Sequence, residues 1–215
     1  MRTSRLIAVG LVAMAVASQA SAVLPGLASD PNGMPGWQGT KSFDTANLYG
    51  VNYYAADIDY CVYDPGQFVE SFFDVTVDPS LYVYAYQVTS VTDGTFGAGT
   101  GYVTRFSVGL TGGDAQACGL GYVPLSGAFP SSIAFAPAVA PFNTVGWNYA
   151  PGIYAGSTSA VMFYCSPFGP EWDNASITGA YGLGDSQLMP SPTPEPATLV
   201  VLAAGSALLF RRKRN

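Results

Sequence analysis

Apolar and polar side chains alternate with period two through most of the middle of the chain. The clearest case runs from Leu81 to Thr92, where Tyr82, Tyr84, Tyr86 and Val88 alternate with Leu81, Val83, Ala85 and Gln87. A period of two is the strand pattern. Both sets are largely apolar, so this strand is expected at the centre of its sheet with both faces covered. Tyr49–Tyr63 reads as another strand, with Ile58, Tyr60 and Val62 on one face and Asp57, Asp59 and Cys61 on the other. Turns are expected at Asp64-Pro65-Gly66 and Asp78-Pro79-Ser80, with a strand over Gln67–Val77 carrying Phe68, Phe72, Phe73, Val75 and Val77. A Gly-rich turn, Asp93 to Gly101, leads to Tyr102–Leu110, where Tyr102, Thr104, Phe106, Val108 and Leu110 share a face. Further strands are expected at Leu120–Pro124, Ser132–Phe135, Thr144–Tyr149, Ile153–Ser166 and Ala175–Tyr181. Residues 23–48, rich in Gly, Pro, Asn and Asp, read as a loop or irregular first edge with Trp37 tucked onto the core. Short strands at regular spacing predict one all-β domain over residues 23–189, a β-sandwich of jelly-roll-like kind. Nothing between the two ends of the chain reads as a long amphipathic helix, and no repeat of solenoid or propeller period is visible.

Composition narrows the function classes. Charged residues make up 10% of the chain, against about 25% in ordinary globular domains. The eight basic residues are divided unevenly: Arg2, Arg5, Arg211, Arg212, Lys213 and Arg214 lie in the two tails. Residues 23–190 keep only Lys41 and Arg105 against thirteen carboxylates. A surface of that sign repels phosphate, which argues against nucleic-acid binding. The chain contains no His. It therefore lacks the commonest general base, the commonest metal ligand, and any Ser-His or Cys-His dyad.

The N-terminus has the three parts of a secretory signal peptide over residues 1–22. Arg2 and Arg5 form the positive region, Leu6–Ala17 the apolar region, and Ala20-Ser21-Ala22 the small-residue site for signal peptidase, with cleavage expected before Val23. An exported chain can oxidise its thiols. Cys61, Cys118 and Cys165 allow one disulfide in three pairings, or three buried small apolar residues; both remain open at this point.

Candidate chemistry is sparse. Asp57 and Asp59, with Asp64 and Asp78, offer oxygen ligands for calcium, but their spacing is not that of a calcium loop. Solvated carboxylates on a strand face are the plainer reading, so no metal site is assigned. Glu171-Trp172-Asp173-Asn174 places an aromatic ring beside polar acceptors, as a sugar site would, although a Trp in a loop also serves as a core cap. Gly97-Ala98-Gly99-Thr100-Gly101 lacks the Lys and the following helix of a phosphate loop and reads as a hairpin turn. Thr92, Thr95, Thr100 and Thr104 lack the regular spacing of a flat ice-binding array. Asn174-Ala175-Ser176 fits a glycosylation sequon. No catalytic or cofactor-binding residue is assigned.

The C-terminal segment, residues 190–215, has three parts in order. Pro190-Ser191-Pro192-Thr193-Pro194-Glu195-Pro196-Ala197-Thr198 is a Pro-rich spacer that favours extended geometry. Leu199–Phe210 is an unbroken run of apolar and small residues, and Arg211-Arg212-Lys213-Arg214 is a basic stop. As a helix, the apolar part from Ala197 would span about 21 Å at 1.5 Å per residue. That is short against a hydrocarbon core of about 30 Å. The basic cluster should stay cytoplasmic, leaving the acidic domain outside. These residues resemble a PEP-CTERM protein-sorting segment, a tail also called the ice-binding protein C-terminal domain. The resemblance implies a short transmembrane sorting helix, recognition by an exosortase near Pro194, Glu195 and Pro196, and release to the cell surface or extracellular matrix. Less specifically, Tyr82–Val88 and Arg105–Leu110 are similar to secreted β-domains, many from planctomycetes, that carry this tail.

Together these features predict a non-enzymatic exported protein, structural or adhesive in the extracellular polymer layer, that passes through an inner-membrane intermediate. The partners expected are signal peptidase, an exosortase, the membrane through the tail, and extracellular polysaccharide. The alternatives are a carbohydrate-binding module or a weak polysaccharide-acting enzyme on the same sandwich, or an ice-binding protein.

Overall fold

The computed structural model describes residues 26–44, 55–68, 77–91, 102–110, 120–123, 127–136, 144–179 and 184–192. Among the described residues there are ten strands: β1 (Gln38–Asp44), β2 (Ala55–Tyr63), β3 (Tyr82–Val91), β4 (Tyr102–Gly109), β5 (Leu120–Val123), β6 (Ser132–Ala136), β7 (Thr144–Tyr154), β8 (Val161–Ser166), β9 (Pro170–Gly179) and β10 (Gly184–Pro192). They form two antiparallel sheets of five, ordered β1-β2-β3-β8-β5 and β10-β9-β4-β7-β6. The described residues hold one 3-10 turn, Leu27–Ser29, and no α-helix. No helix among them is long and apolar enough to cross a membrane. The signal segment, most of Gln67–Val77, the turn at 93–101, Cys118, and the tail from Thr193 lie outside the described residues.

The expected centre of the fold is in place. β3 is the middle strand of its sheet, between β2 and β8. Tyr84, Tyr86 and Val88 point between the sheets, where they meet Phe106, Trp147 and Ile177 of the second sheet. The rings form a continuous layer. Tyr84 stacks on Tyr164 at 5.1 Å, Tyr86 lies 5.4 Å from Phe106, and Phe106 stacks on Trp147 at 5.8 Å. Each such pair adds about 0.5–1.5 kcal/mol beyond the area it buries. The opposite face of β3 explains the other apolar set. Val83 and Ala85 join Cys61, Tyr63, Phe163 and Cys165 in a second cluster under Leu27 of the 3-10 turn.

The two predicted turns close as expected. The Gln67 amide donates to the Asp64 carbonyl at 2.9 Å, with Gly66 at φ +77°. The Leu81 amide donates to the Asp78 carbonyl at 3.1 Å. Trp37 is partly buried against the main core, as expected.

Several expectations are corrected. Residues 38–44 are a regular edge strand, paired with β2 from Gln38↔Cys61 to Asp44↔Ala55. Tyr102–Leu110 does not keep one alternation throughout. A bulge between Val103 and Arg105 shifts the phase, so Val103 is buried with Phe106, Val108 and Leu110, while Tyr102 and Thr104 are only partly buried. Ile153–Ser166 is two strands: Ile153 and Tyr154 finish β7, and Gly156 at φ +77° turns the chain before β8. The segment 156–159 then bonds to β3, through Ser90 and Val88. Glu171–Asn174 lies within β9 and not in a loop. β10, which alternation does not reveal, carries Pro190, Ser191 and Pro192 in register with Trp172, Glu171 and Pro170. The folded body therefore continues through Pro192, three residues beyond the boundary at 189 expected from the sequence.

Candidate functional site

Sheet order sets the ends of the two sheets against each other, with β1 and β2 lying across from β10 and β9. An aromatic cluster fills this corner. Trp37 sits in the turn ahead of β1, its amide donating to the Met34 carbonyl at 3.0 Å and its carbonyl accepting from the Val62 amide at 3.0 Å. Trp172 comes from β9. The two indoles stack with centroids 5.1 Å apart and planes 27° apart. Tyr60 of β2 meets the Trp172 ring edge-on at 6.0 Å. The Lys41 ammonium stands 5.4 Å from the same ring, a cation–π contact worth about 0.5–1 kcal/mol where exposed. Gly39 makes room for this packing, because a Cβ there would stand 3.0 Å from the Tyr60 hydroxyl. Trp172 remains 43% exposed.

This corner can hold apolar or weakly polar surfaces by stacking. Of the neighbours picked out with Trp172, Glu171 and Asn174 are exposed, while Asp173 is partly buried and accepts the Asn174 amide at 2.7 Å. Successive side chains on a strand point to opposite faces. The four residues therefore do not converge on one sugar-sized surface.

The carboxylates of β2 are tied to β1 across the strand pair. Thr40 Oγ1 donates to Asp59 at 2.6 Å, and Ser42 Oγ donates to Asp57 at 2.7 Å. The register continues these rows onto β3, with Gln87 opposite Asp59 and Thr89 opposite Asp57. Asp64 and Asp78 occupy separate turns, and Asp78 accepts both the amide and the hydroxyl of Ser80, at 2.9 and 2.7 Å. The four candidate calcium ligands are thus divided between a strand face and two turns. Among the described residues no three His, Cys, Asp or Glu side chains group in a way that could hold a metal. The sequon Asn174-Ala175-Ser176 lies in mid-strand, with Ala175 buried and the Ser176 hydroxyl 2.8 Å from that of Ser107.

Cys61 and Cys165 are both buried on the outer side of the first sheet, on strands that flank β3. Cys61 is a free thiol. Burial pushes it up to about 11, and the nearby Asp30 charge adds to the shift, while a hydrogen bond with Tyr63 works the other way. Tyr63, whose hydroxyl donates to Asp30 at 2.9 Å, is raised still further, again mainly by burial. A thiol held protonated in this way is a poor nucleophile.

Sequence reasoning missed a set of buried hydroxyls that ties β10 to the rest. The Tyr86 hydroxyl donates to the Pro190 carbonyl, and Ser191 Oγ donates to the Gly109 carbonyl. Tyr84 donates to the Phe168 carbonyl at 2.8 Å. Burial raises the pKa of Tyr84, Tyr86 and Tyr164, so all three stay neutral donors. The run of alternate tyrosines on β3 was the available clue, since a buried phenol needs a partner. The signal-cleavage residues Ala20 and Ala22, the motif Pro194, Glu195 and Pro196, and the basic stop Arg211, Arg212, Lys213 and Arg214 lie outside the described residues. No protein-family model matches the chain, and a search of curated proteins finds no relative.

Proposed function

We propose that this chain is an exported protein of the cell surface or extracellular polymer matrix, with a structural or adhesive β-sandwich and no catalytic role. An N-terminal signal takes it to the membrane, the tail holds it there as an intermediate, and an exosortase acts at Pro194-Glu195-Pro196. The observation that carries this reading is how far toward the motif β10 reaches. Pro190, Ser191 and Pro192 are buried and paired, and the sorting motif begins two residues later. A body folded up to the edge of the motif, with the motif itself beyond β10, supports delivery by the tail. The scarcity of cations in the middle of the chain, where residues 23–190 carry only Lys41 and Arg105, suits a domain kept outside. The carboxylates fixed by Thr40 and Ser42 suit an ordered polar surface. The chain passes between the sheets at β3–β4, β4–β5, β5–β6, β7–β8 and β8–β9, and we read this alternation as jelly-roll-like.

The test is mass spectrometry of the chain expressed in a bacterium that carries an exosortase. The expected product starts at Val23 and ends near Pro194, and removal of residues 194–215 sends the domain into the medium unprocessed. Recovery of an intact Arg211–Arg214 end on the surface protein would make the tail a permanent anchor.

A second reading, carbohydrate binding, is favoured by one observation, the 43% exposure of Trp172 beside Trp37. Saturable, competable binding on a glycan array that is lost in Trp172→Ala would establish it. The same array without binding leaves the structural role.

A further inference from the structure

The last described residue of β10, Pro192, lies at one well-defined end of the sandwich. The registers put Pro192 opposite Pro170, Tyr82 opposite Ser166, Tyr63 opposite Val83 and Gln38 opposite Cys61. This end therefore gathers the exit of β10, the Phe168 linker, the turns at Asp64 and Asp78, and Trp37 ahead of β1. The Tyr84–Phe168 hydrogen bond ties β3 to the linker between β8 and β9 here. Trp172 pairs with Pro190, two positions in from the exit.

The length of the tether limits how far this end can stand from a bilayer. Five residue steps separate buried Pro192 from Ala197, where the apolar part of the tail begins. At about 3.3–3.6 Å per residue the tether reaches at most about 18 Å. The headgroup layer of one leaflet takes about 5–7 Å of that. With the tail inserted, the exit end stays within about 13 Å of the headgroups even when the tether is fully stretched.

We propose that this end of the sandwich is a lipid-contact surface. While the tail is in the bilayer, the domain stands on the membrane with Trp37 and Trp172 in the headgroup layer. The proposal rests on the reading of the tail as a membrane segment. Indole rings are amphipathic and favour the membrane–water interface. Trp172 is 43% exposed and Trp37 is half-buried against it. The charge at this end selects the lipid. Asp78 and Glu171 are exposed and Asp64 is partly exposed, and these three carboxylates outnumber the one cation in the patch, Lys41, whose ammonium is already held against the Trp172 ring at 5.4 Å. A carboxylate-rich rim is repelled by anionic lipid and faces the ammonium of a zwitterionic headgroup favourably. The occupant is therefore an amine-bearing zwitterionic surface such as phosphatidylethanolamine.

The full chain is reconstituted into phosphatidylethanolamine–phosphatidylcholine vesicles containing a lipid spin-labelled at its headgroup. The three tryptophans are the probes. Trp147 has no exposed surface and supplies an unquenched baseline. The expected result is loss of most of the emission above that baseline. The Trp37→Phe, Trp172→Phe double variant should lose the quenchable part, and Trp172→Phe alone should lose a share of it. Trypsin added outside reports on the tail separately, because an inserted tail protects Arg211–Arg214. If those residues are cut, the membrane reading of the tail fails and the proposal falls with it. Protected arginines with unquenched wild-type emission would overturn the contact surface and leave the tail reading intact. Replacing half of the phosphatidylethanolamine with phosphatidylglycerol should weaken quenching; equal or stronger quenching would overturn the zwitterionic assignment.

Discussion

β3 and β10 occupy opposite kinds of place in the sandwich. β3 has a strand on each side and apolar layers on both faces, with Tyr84, Tyr86 and Val88 inward and Val83 and Ala85 under the second cluster. β10 lies at the edge of its sheet, with β9 as its one partner among the described strands. Its sequence, Gly-Asp-Ser-Gln-Leu-Met-Pro-Ser-Pro, contributes a single buried large apolar side chain, Met189. What holds its last residues is polar: a tyrosine hydroxyl from β3 on the Pro190 carbonyl, and the Ser191 hydroxyl on the Gly109 carbonyl of β4. Burial of area fixes the middle of this fold, while its C-terminal edge depends on a few buried hydrogen bonds. Pro190 and Pro192 also remove two backbone donors from that edge, which blunts it against pairing with another chain.

Tyr86 belongs to both regions, and removing its side chain should have the largest effect. Tyr86→Ala takes away a ring that packs on Phe106, Trp147 and Tyr164, together with the hydroxyl that holds Pro190. A loss of about 3–5 kcal/mol is expected, as for other large aromatic-to-Ala changes in cores. Urea unfolding of the chain in detergent solution measures it. A loss below about 1 kcal/mol would mean that the ring layer is not the structural centre.

Smaller substitutions separate ring from hydroxyl. Tyr86→Phe keeps the packing and removes the hydrogen bond to the Pro190 carbonyl; Ser191→Ala removes the one to the Gly109 carbonyl. Each should cost about 0.5–1.5 kcal/mol, the net worth of a buried hydrogen bond. The distinguishing readout is hydrogen exchange. Amides of β10 and of its partner β9 should exchange faster in both variants, while those of β3 and β8 keep their protection. Uniform loss of protection across both sheets would show that β10 is no weaker than the centre.

The same contrast decides what the sequence discloses. β3 is legible because its burial is written into its own residues as alternate apolar positions, and its place in the middle of a sheet follows. β1 is less legible, since Gln38, Gly39, Thr40, Lys41 and Ser42 carry no alternation, and it forms through cross-strand partners on β2 such as Asp59 for Thr40. β10 is least legible, because two prolines and a serine gain their burial from hydroxyls that belong to β3 and to Ser191 itself. The Trp37–Trp172 corner joins residues 135 positions apart in the chain. Local spacing carries no sign of such a contact. The four acidic candidates illustrate the converse: Asp57, Asp59, Asp64 and Asp78 are near one another in sequence, yet strand and turn geometry divides them.

The smallest expected effect probes the cover over the outer face of β3. Cys61 lies in that cover beside Ala85, its partner in register, with Leu27 and Tyr63 in the same cluster. Burial pushes its thiol up to about 11. In the folded chain Cys61 should therefore resist iodoacetamide at pH 8 and react once urea unfolds the domain, as peptide mass spectrometry can follow residue by residue. The sign of the stability effect follows from the same shift. The folded state holds this proton more tightly than the unfolded one, whose thiol titrates near 8.5. Its stabilising contribution is complete below that value and is lost as pH rises through about 11. Tyr63, also raised by burial, acts in the same direction. Leu27→Ala should thin the cover, speed alkylation in the folded state and bring the thiol back toward its ordinary range. If Cys61 of the wild-type chain alkylates at pH 8 as fast as a free peptide thiol, the outer face of β3 is open, and the central strand is covered on one face only.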